Sequence, residues 1–229
     1  MPDQFTTVPN LKTFKELDHN ERNVFWTHYD MVQTEIVLLA KGEPLDVSKS
    51  AAIQLFNEYF GGGMNSIVFQ EIREAQGLAY SVYSAYFQAN QTKKSDYIFS
   101  YVGIQSDKQK EALSSMFGLI NNLPESENAF DIAKKAILNK IESERITKSA
   151  IIDQYLSAEK KGITDDIRES VYNEVKSMDF NALNAFHSKY IKDMPHDILI
   201  IGNRDNLDFE NLSKYGTVKE LDLETIFGH

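Results

Sequence analysis

Five histidines, at 19, 28, 187, 196 and 229, are the first residues to test for metal chemistry. No two stand three, four or five apart, so no helix turn presents an H-x-x-H, H-E-x-x-H or inverted H-x-x-E-H face. The pairs His19/His28 and His187/His196 are nine residues apart, which fits no helical ligand pair. Isolated surface or incidentally buried imidazoles account for them, with a site assembled at long range left open. The chain has no cysteine, which removes disulfides, thiolate zinc, iron–sulfur clusters and a cysteine nucleophile and leaves the redox compartment undecided. No G-x-S-x-G elbow marks out a serine. Gly61-Gly62-Gly63 lacks the Gly-Lys-Ser/Thr ending of a phosphate loop and follows a helical pattern where such a loop follows a strand. It reads as a tight helix–helix turn or a close backbone approach.

The densest stretch runs from Tyr59 to Tyr86, YFGGGMNSIVFQEIREAQGLAYSVYSAY. Its pattern predicts a helix end, a glycine turn, a short helix, and a strand opening Leu78-Ala79-Tyr80. Arg73 falls on the polar side of the short helix, and Gly77 lets the chain reverse, which brings Arg73 and Tyr80 toward one rim. A guanidinium and a phenol there could donate hydrogen bonds to a peptide carbonyl or a developing oxyanion. Residues alone leave the plainer account standing: an arginine solvated or paired with Glu71 or Glu74, and a half-buried strand tyrosine.

The elements that must position these groups follow from period. Residues 1–20 read as a lead-in or linker. Asn23–Tyr29 and Gln33–Ala40 are strand-length runs expected to form an antiparallel pair, the second broken by Lys41-Gly42-Glu43-Pro44. Ala51, Ala52, Leu55, Phe56, Tyr59 and Phe60 form one helical face. Asn65 or Ser66 is expected to cap the short helix. Leu78–Asn90 and Tyr97–Ile104 predict a hairpin. Ser106 to Gln109 has capping-box spacing before a helix that Pro124 ends. Glu127–Lys160 predicts a long helix interrupted near Thr147, followed by helices capped by Thr164 and Asp179. Asp197–Gly202 predicts a strand, Asp208–Lys214 a short helix and Val218–Leu223 a last strand or extended tail. Hairpins with runs of helices predict a two-layer α+β fold, an antiparallel sheet packed against helices, in a single domain over 21–229.

The central stretch resembles the non-catalytic, zinc-free domain of the M16 (insulinase/pitrilysin, mitochondrial processing peptidase) metallopeptidases. The matching motifs are Gly61 to Ser66, Phe69 to Glu74 and Gly77 to Val82, with weaker agreement at Ile198–Gly202 and from Lys214 to Asp222. The resemblance implies a domain that pairs with a zinc-bearing sister, in the same polypeptide or a partner subunit, as half of a clamshell around a peptide substrate. The sister would supply the H-x-x-E-H motif, whose glutamate activates the metal-bound water. The corresponding helix here, Ser48–Phe60, has no histidine pair and one acid, Glu58, so no metal ligand is expected in this chain and zinc belongs to the sister. Arg73 and Tyr80 match the pair that reaches the substrate beside the scissile bond and steadies the tetrahedral intermediate; Gly77, Leu78 and Ala79 match its substrate-binding neighbours.

The expected function is therefore the substrate-binding, chamber-closing half of a zinc metallopeptidase, inactive alone. The alternatives are an inactive structural subunit of an M16-like complex and a stand-alone peptide binder that adds a strand at a sheet edge. Composition fits these readings: 229 residues, 42% hydrophobic, with a formal charge of −10 that argues against nonspecific nucleic-acid binding. The longest apolar run, Ile36–Ala40, falls far short of the roughly 20 residues of a membrane span. A soluble protein is expected, with cytoplasm and periplasm both open.

Overall fold

Alternation of buried and open side chains along each strand sets the architecture. In the computed structural model, which describes residues 15–228, the strands are β1 (Asn23–His28), β2 (Gln33–Pro44), β3 (Ala79–Phe87), β4 (Ser95–Gln105), β5 (Asp197–Gly202) and β6 (Thr217–Glu220). They form one sheet in the order β3-β4-β2-β5-β1-β6. Residues 1–14 of the expected lead-in and His229 lie outside the described residues. One face of the sheet carries Val24, Trp26, Ile36, Leu38, Val82, Ile98, Val102, Ile198 and Ile200 into the core. The helices cover that face, giving the two-layer α+β arrangement.

The sheet is mixed. Pairing is antiparallel from β3 through β4 and β2 to β5, and parallel from β5 to β1 to β6. This corrects the expected β1–β2 pair: the two run in opposite directions, but β5 lies between them. Residues 29–32 need only bridge two strand spacings of roughly 5 Å each, which four extended residues can do. Nor does β2 break at Lys41. It continues to Pro44 through an irregularity in its register with β4.

The helices are α1 (Ser50–Phe60), α2 (Gln109–Asn121), α3 (Glu127–Ser143), α4 (Lys148–Lys160), α5 (Ile167–Ser177), α6 (Phe180–Tyr190), α7 (Phe209–Leu212) and α8 (Leu223–Phe227). The apolar face of α1 buries Leu55, Phe56, Tyr59 and Phe60. Tyr59 meets Phe130 and Phe180 edge-on, at ring separations of 6.2 and 5.8 Å, which joins α1 to α3 and α6. Its hydroxyl donates to the Pro124 carbonyl at 2.6 Å, so burial leaves it satisfied. The break near Thr147 falls as expected, with Thr147 capping α4. Two expected caps differ. α5 is capped by Asp166, whose carboxylate accepts from the Arg168 amide at 3.0 Å, and not by Thr164. The Ser106–Gln109 box does not form, because both side chains are used in tertiary contacts. Ser106 accepts from Thr34 at 3.0 Å and donates to the Val32 carbonyl at 2.9 Å. Gln109 accepts from the Asp208 amide at 3.2 Å.

Candidate functional site

The site begins where α1 meets the sheet. A Cβ on Gly61 would sit 2.1 Å from the Ser84 carbonyl oxygen, so only glycine allows the helix end to rest on β3. Ser84 donates its amide to the Gly61 carbonyl at 3.4 Å. One turn earlier, Asn57 accepts from the Tyr86 amide at 2.7 Å and donates to the Tyr86 carbonyl at 3.0 Å. β3 is an edge strand, and α1 thus takes up its outward backbone groups at 84 and 86. Asn57 drew no attention in the sequence, because an asparagine inside a helix carries no local signal of a partner on a distant strand.

The short helix is present but wound more widely than expected. Phe69–Ala75 is a π-helix: the Gln76 amide reaches the Glu71 carbonyl at 3.1 Å, five residues back, and Leu78 reaches Ile72 at 3.0 Å. Ser66 does not cap it; its hydroxyl donates to the Gly63 carbonyl at 2.6 Å and tightens the glycine turn instead. Ile72 anchors the helix in the core while Arg73 points outward. Gly77 then takes φ +62°, a left-handed conformation that reverses the chain into β3. The Leu78–Ile72 bond closes this corner, so Arg73, next to Ile72, and Tyr80, two residues past Leu78, are carried by one turn of chain.

Both side chains are open to solvent. The Arg73 guanidinium lies over the Phe69 ring at 4.7 Å, and its nearest carboxylate is Glu74 at 3.9 Å, beyond hydrogen-bond reach. Tyr80 is 55% exposed, sits at an irregularity where Ala79 faces Ile104 and Ser81 faces Gly103, and its hydroxyl has no partner among the described residues. Gly77 is exposed, Leu78 is half-buried against the core, and Ala79 is buried, so Ala79 can offer only its backbone. An exposed donor pair with no internal acceptor can direct hydrogen bonds at an oxygen brought from outside.

α1 presents no histidine and a single acid, Glu58, and among the described residues no three His, Asp or Glu side chains gather as a metal site. The residues do not fit a zinc ion.

Comparison with known proteins accounts for this combination. Residues 4–137 match the model of the peptidase M16 inactive domain. The chain belongs to this family. A zinc protease of Mycobacterium leprae, uncharacterized, is 43% identical over 56 residues, which is 24% of this chain and 13% of that protein. One of Rickettsia felis, also uncharacterized, is 44% identical over 54 residues, again 13% of its length and 23% of this chain. The solved M16 inactive domain from Pseudomonas fluorescens superposes with a TM-score of 0.72 at 18% identity, covering 85% of this chain and 47% of that one. A protease from Helicobacter pylori superposes at 0.65 and 14% identity, covering 78% of this chain and 43% of that one. The M16 inactive domain thus spans about half the length of the solved chains whose fold it shares. No helix of the described residues is long and apolar enough to cross a membrane.

On the opposite face of the sheet lies a pair that no local motif marks out. Tyr101 donates its hydroxyl to the Glu35 carboxylate across β4 and β2. Burial and this bond push the Tyr101 phenol up to about 12. The residues are distant in sequence, and only strand register joins them.

Proposed function

We propose that this M16 inactive domain is the substrate-binding, chamber-closing half of a zinc metallopeptidase, working with a zinc-bearing sister domain or subunit. In this reading Arg73 and Tyr80 act in trans on a peptide held between the halves: the guanidinium supplies positive charge and the phenol a directed donor where the oxyanion develops. Gly77, Leu78 and Ala79 hold the substrate backbone beside them. The observation that carries the reading is the corner itself, where a left-handed glycine and a π-helix present an arginine and a tyrosine outward, neither held in a close ion pair. The strand-addition alternative has less support, because α1 already occupies the outer edge of β3 at Ser84 and Tyr86.

The test uses the assembled enzyme, full-length or reconstituted from both halves. Tyr80→Phe should lower kcat by at least about tenfold while moving KM less, since the hydrogen bond is asked to act in the transition state. Arg73→Ala should lower kcat/KM further. Unchanged kinetics in both variants would return the pair to packing. The domain by itself should hydrolyse no peptide; purified activity that a chelator abolishes would overturn the reading.

A further inference from the structure

The sheet face turned away from the helices is an apolar floor. Strand register lines up Tyr83, Tyr101, Val37, Leu199 and Phe25 in one row across five strands. The next row adds Phe99 and Leu39, with Tyr83 and Phe99 stacked at 5.7 Å and Phe87 edge-on to Phe99 at 6.3 Å. Tyr83 and Leu199 are 42% and 38% exposed. On the other side of the aromatic row lies Ser81–Gly103–Glu35–Ile201. Gly103 is buried beneath the Tyr101–Glu35 pair, since a Cβ there would lie 2.8 Å from the Tyr101 hydroxyl and 3.0 Å from Glu35 Oε2. Glu35 is half-buried, has Tyr101 as its hydrogen-bond donor, and has no cationic partner among the described residues. A carboxylate placed in an apolar floor without a cation is complementary to one brought by a ligand.

We propose that this face docks an extended peptide whose apolar side chains lie along the aromatic row and whose arginine or lysine is taken by Glu35. The inference rests on the peptide-binding reading above and deepens it, because the Glu35 row runs directly into the Tyr80 irregularity at Ser81. In this reading a peptide engaged at Tyr80 turns over the β3 edge beside Ser81 onto this floor. A flush second sheet is disfavoured at the far end, where Leu17 and His19 overhang Phe25, Leu39 and Tyr97 to form an open trough. There Lys41 donates to the Leu17 carbonyl at 2.7 Å, and His19 lies 3.1 Å from Asp197. A single strand needs only about 5 Å of width and passes beside this overhang, whereas sheets stack about 10 Å apart over their whole area.

The experiment titrates the assembled enzyme, with its catalytic metal removed to stop turnover, against a fluorescein-labelled peptide of alternating leucine and serine with one central arginine, and against a twin carrying citrulline there. The arginine peptide should bind roughly fivefold tighter, as a partly exposed charge pair allows. Glu35→Gln should abolish that difference, and Tyr83→Ser should weaken both peptides alike. Both positions are at or near the surface, and thermal melting checks that each variant folds. Retention of the fivefold difference in Glu35→Gln overturns the proposal. So does indifference of both peptides to Tyr83→Ser, which is expected if the sister domain or a second copy covers the face, and so does failure of either peptide to bind. None of these readouts depends on kcat, so a failure here leaves the Tyr80→Phe result to judge the Arg73–Tyr80 corner separately.

Discussion

At the scale of single residues, what could be read depended on whether a residue's role was local. Gly77 announces itself, since a glycine after a helical pattern and before a strand has one common use, and its φ of +62° bears that out. Glu35 and Asn57 announce nothing, because their partners Tyr101 and Tyr86 lie on other strands. The difference yields a prediction. A Cβ on Gly77 meets no atom within 4 Å, so Gly77→Ala carries only the conformational cost of a left-handed alanine, about 1–2 kcal/mol. Gly77→Asn should cost less, because asparagine tolerates that region. Urea midpoints at constant slope would show this order; equal losses for both would mean that the backbone relaxes out of the left-handed turn.

At the scale of elements, strands and helices were legible from period, while adjacency and winding were not. The opposed directions of β1 and β2 were apparent from a short connection. That β5 intervenes depends on a segment near the other end of the chain, which no local pattern reports. The π-helix at Phe69–Ala75 was equally silent, since a wider turn changes which carbonyl accepts without changing the apolar positions. The seat of α1 on β3 is the element-level contact that supports the candidate corner. Asn57→Ala would leave the Tyr86 amide and carbonyl, both in a mostly buried setting, without partners, at a cost of about 1–3 kcal/mol. Amide exchange should then quicken at Tyr86 while β2 and β5, in the sheet centre, keep their protection. Loss of protection throughout the sheet would show that α1 and the sheet unfold as one unit.

At the scale of the whole molecule, the chain is an M16 inactive domain whose described residues form one core and leave one sheet face without a helix over it, and its stability should carry a particular pH signature. His196 is 2% exposed, and burial holds its imidazole down at about 4. Its Nδ1 donates to the Met194 carbonyl at 2.9 Å, and its Nε2 has no hydrogen-bond partner. His187 is also buried, with its pKa lowered by the same desolvation. Above the ordinary value of 6.5 both folded and unfolded chains keep His196 neutral, so it adds no pH dependence. Between 6.5 and about 4 the unfolded chain takes a proton that the folded site refuses, and stability falls as pH falls. The full loss from His196 is about 3 kcal/mol. The depressed carboxylates Asp46, Asp166 and Asp222 act later: their support is present above an unfolded pKa near 3.8 and is lost only as pH drops below it. The interval from 6.5 down to about 4.5 therefore belongs to the buried imidazoles. Urea midpoints measured across it should decline steadily in the native chain and flatten in His196→Phe, whatever that variant's offset at neutral pH. An undiminished decline in His196→Phe would move the acid sensitivity to His187, whose Nε2 bonds to the Ile120 carbonyl at 2.7 Å and ties α6 to α2.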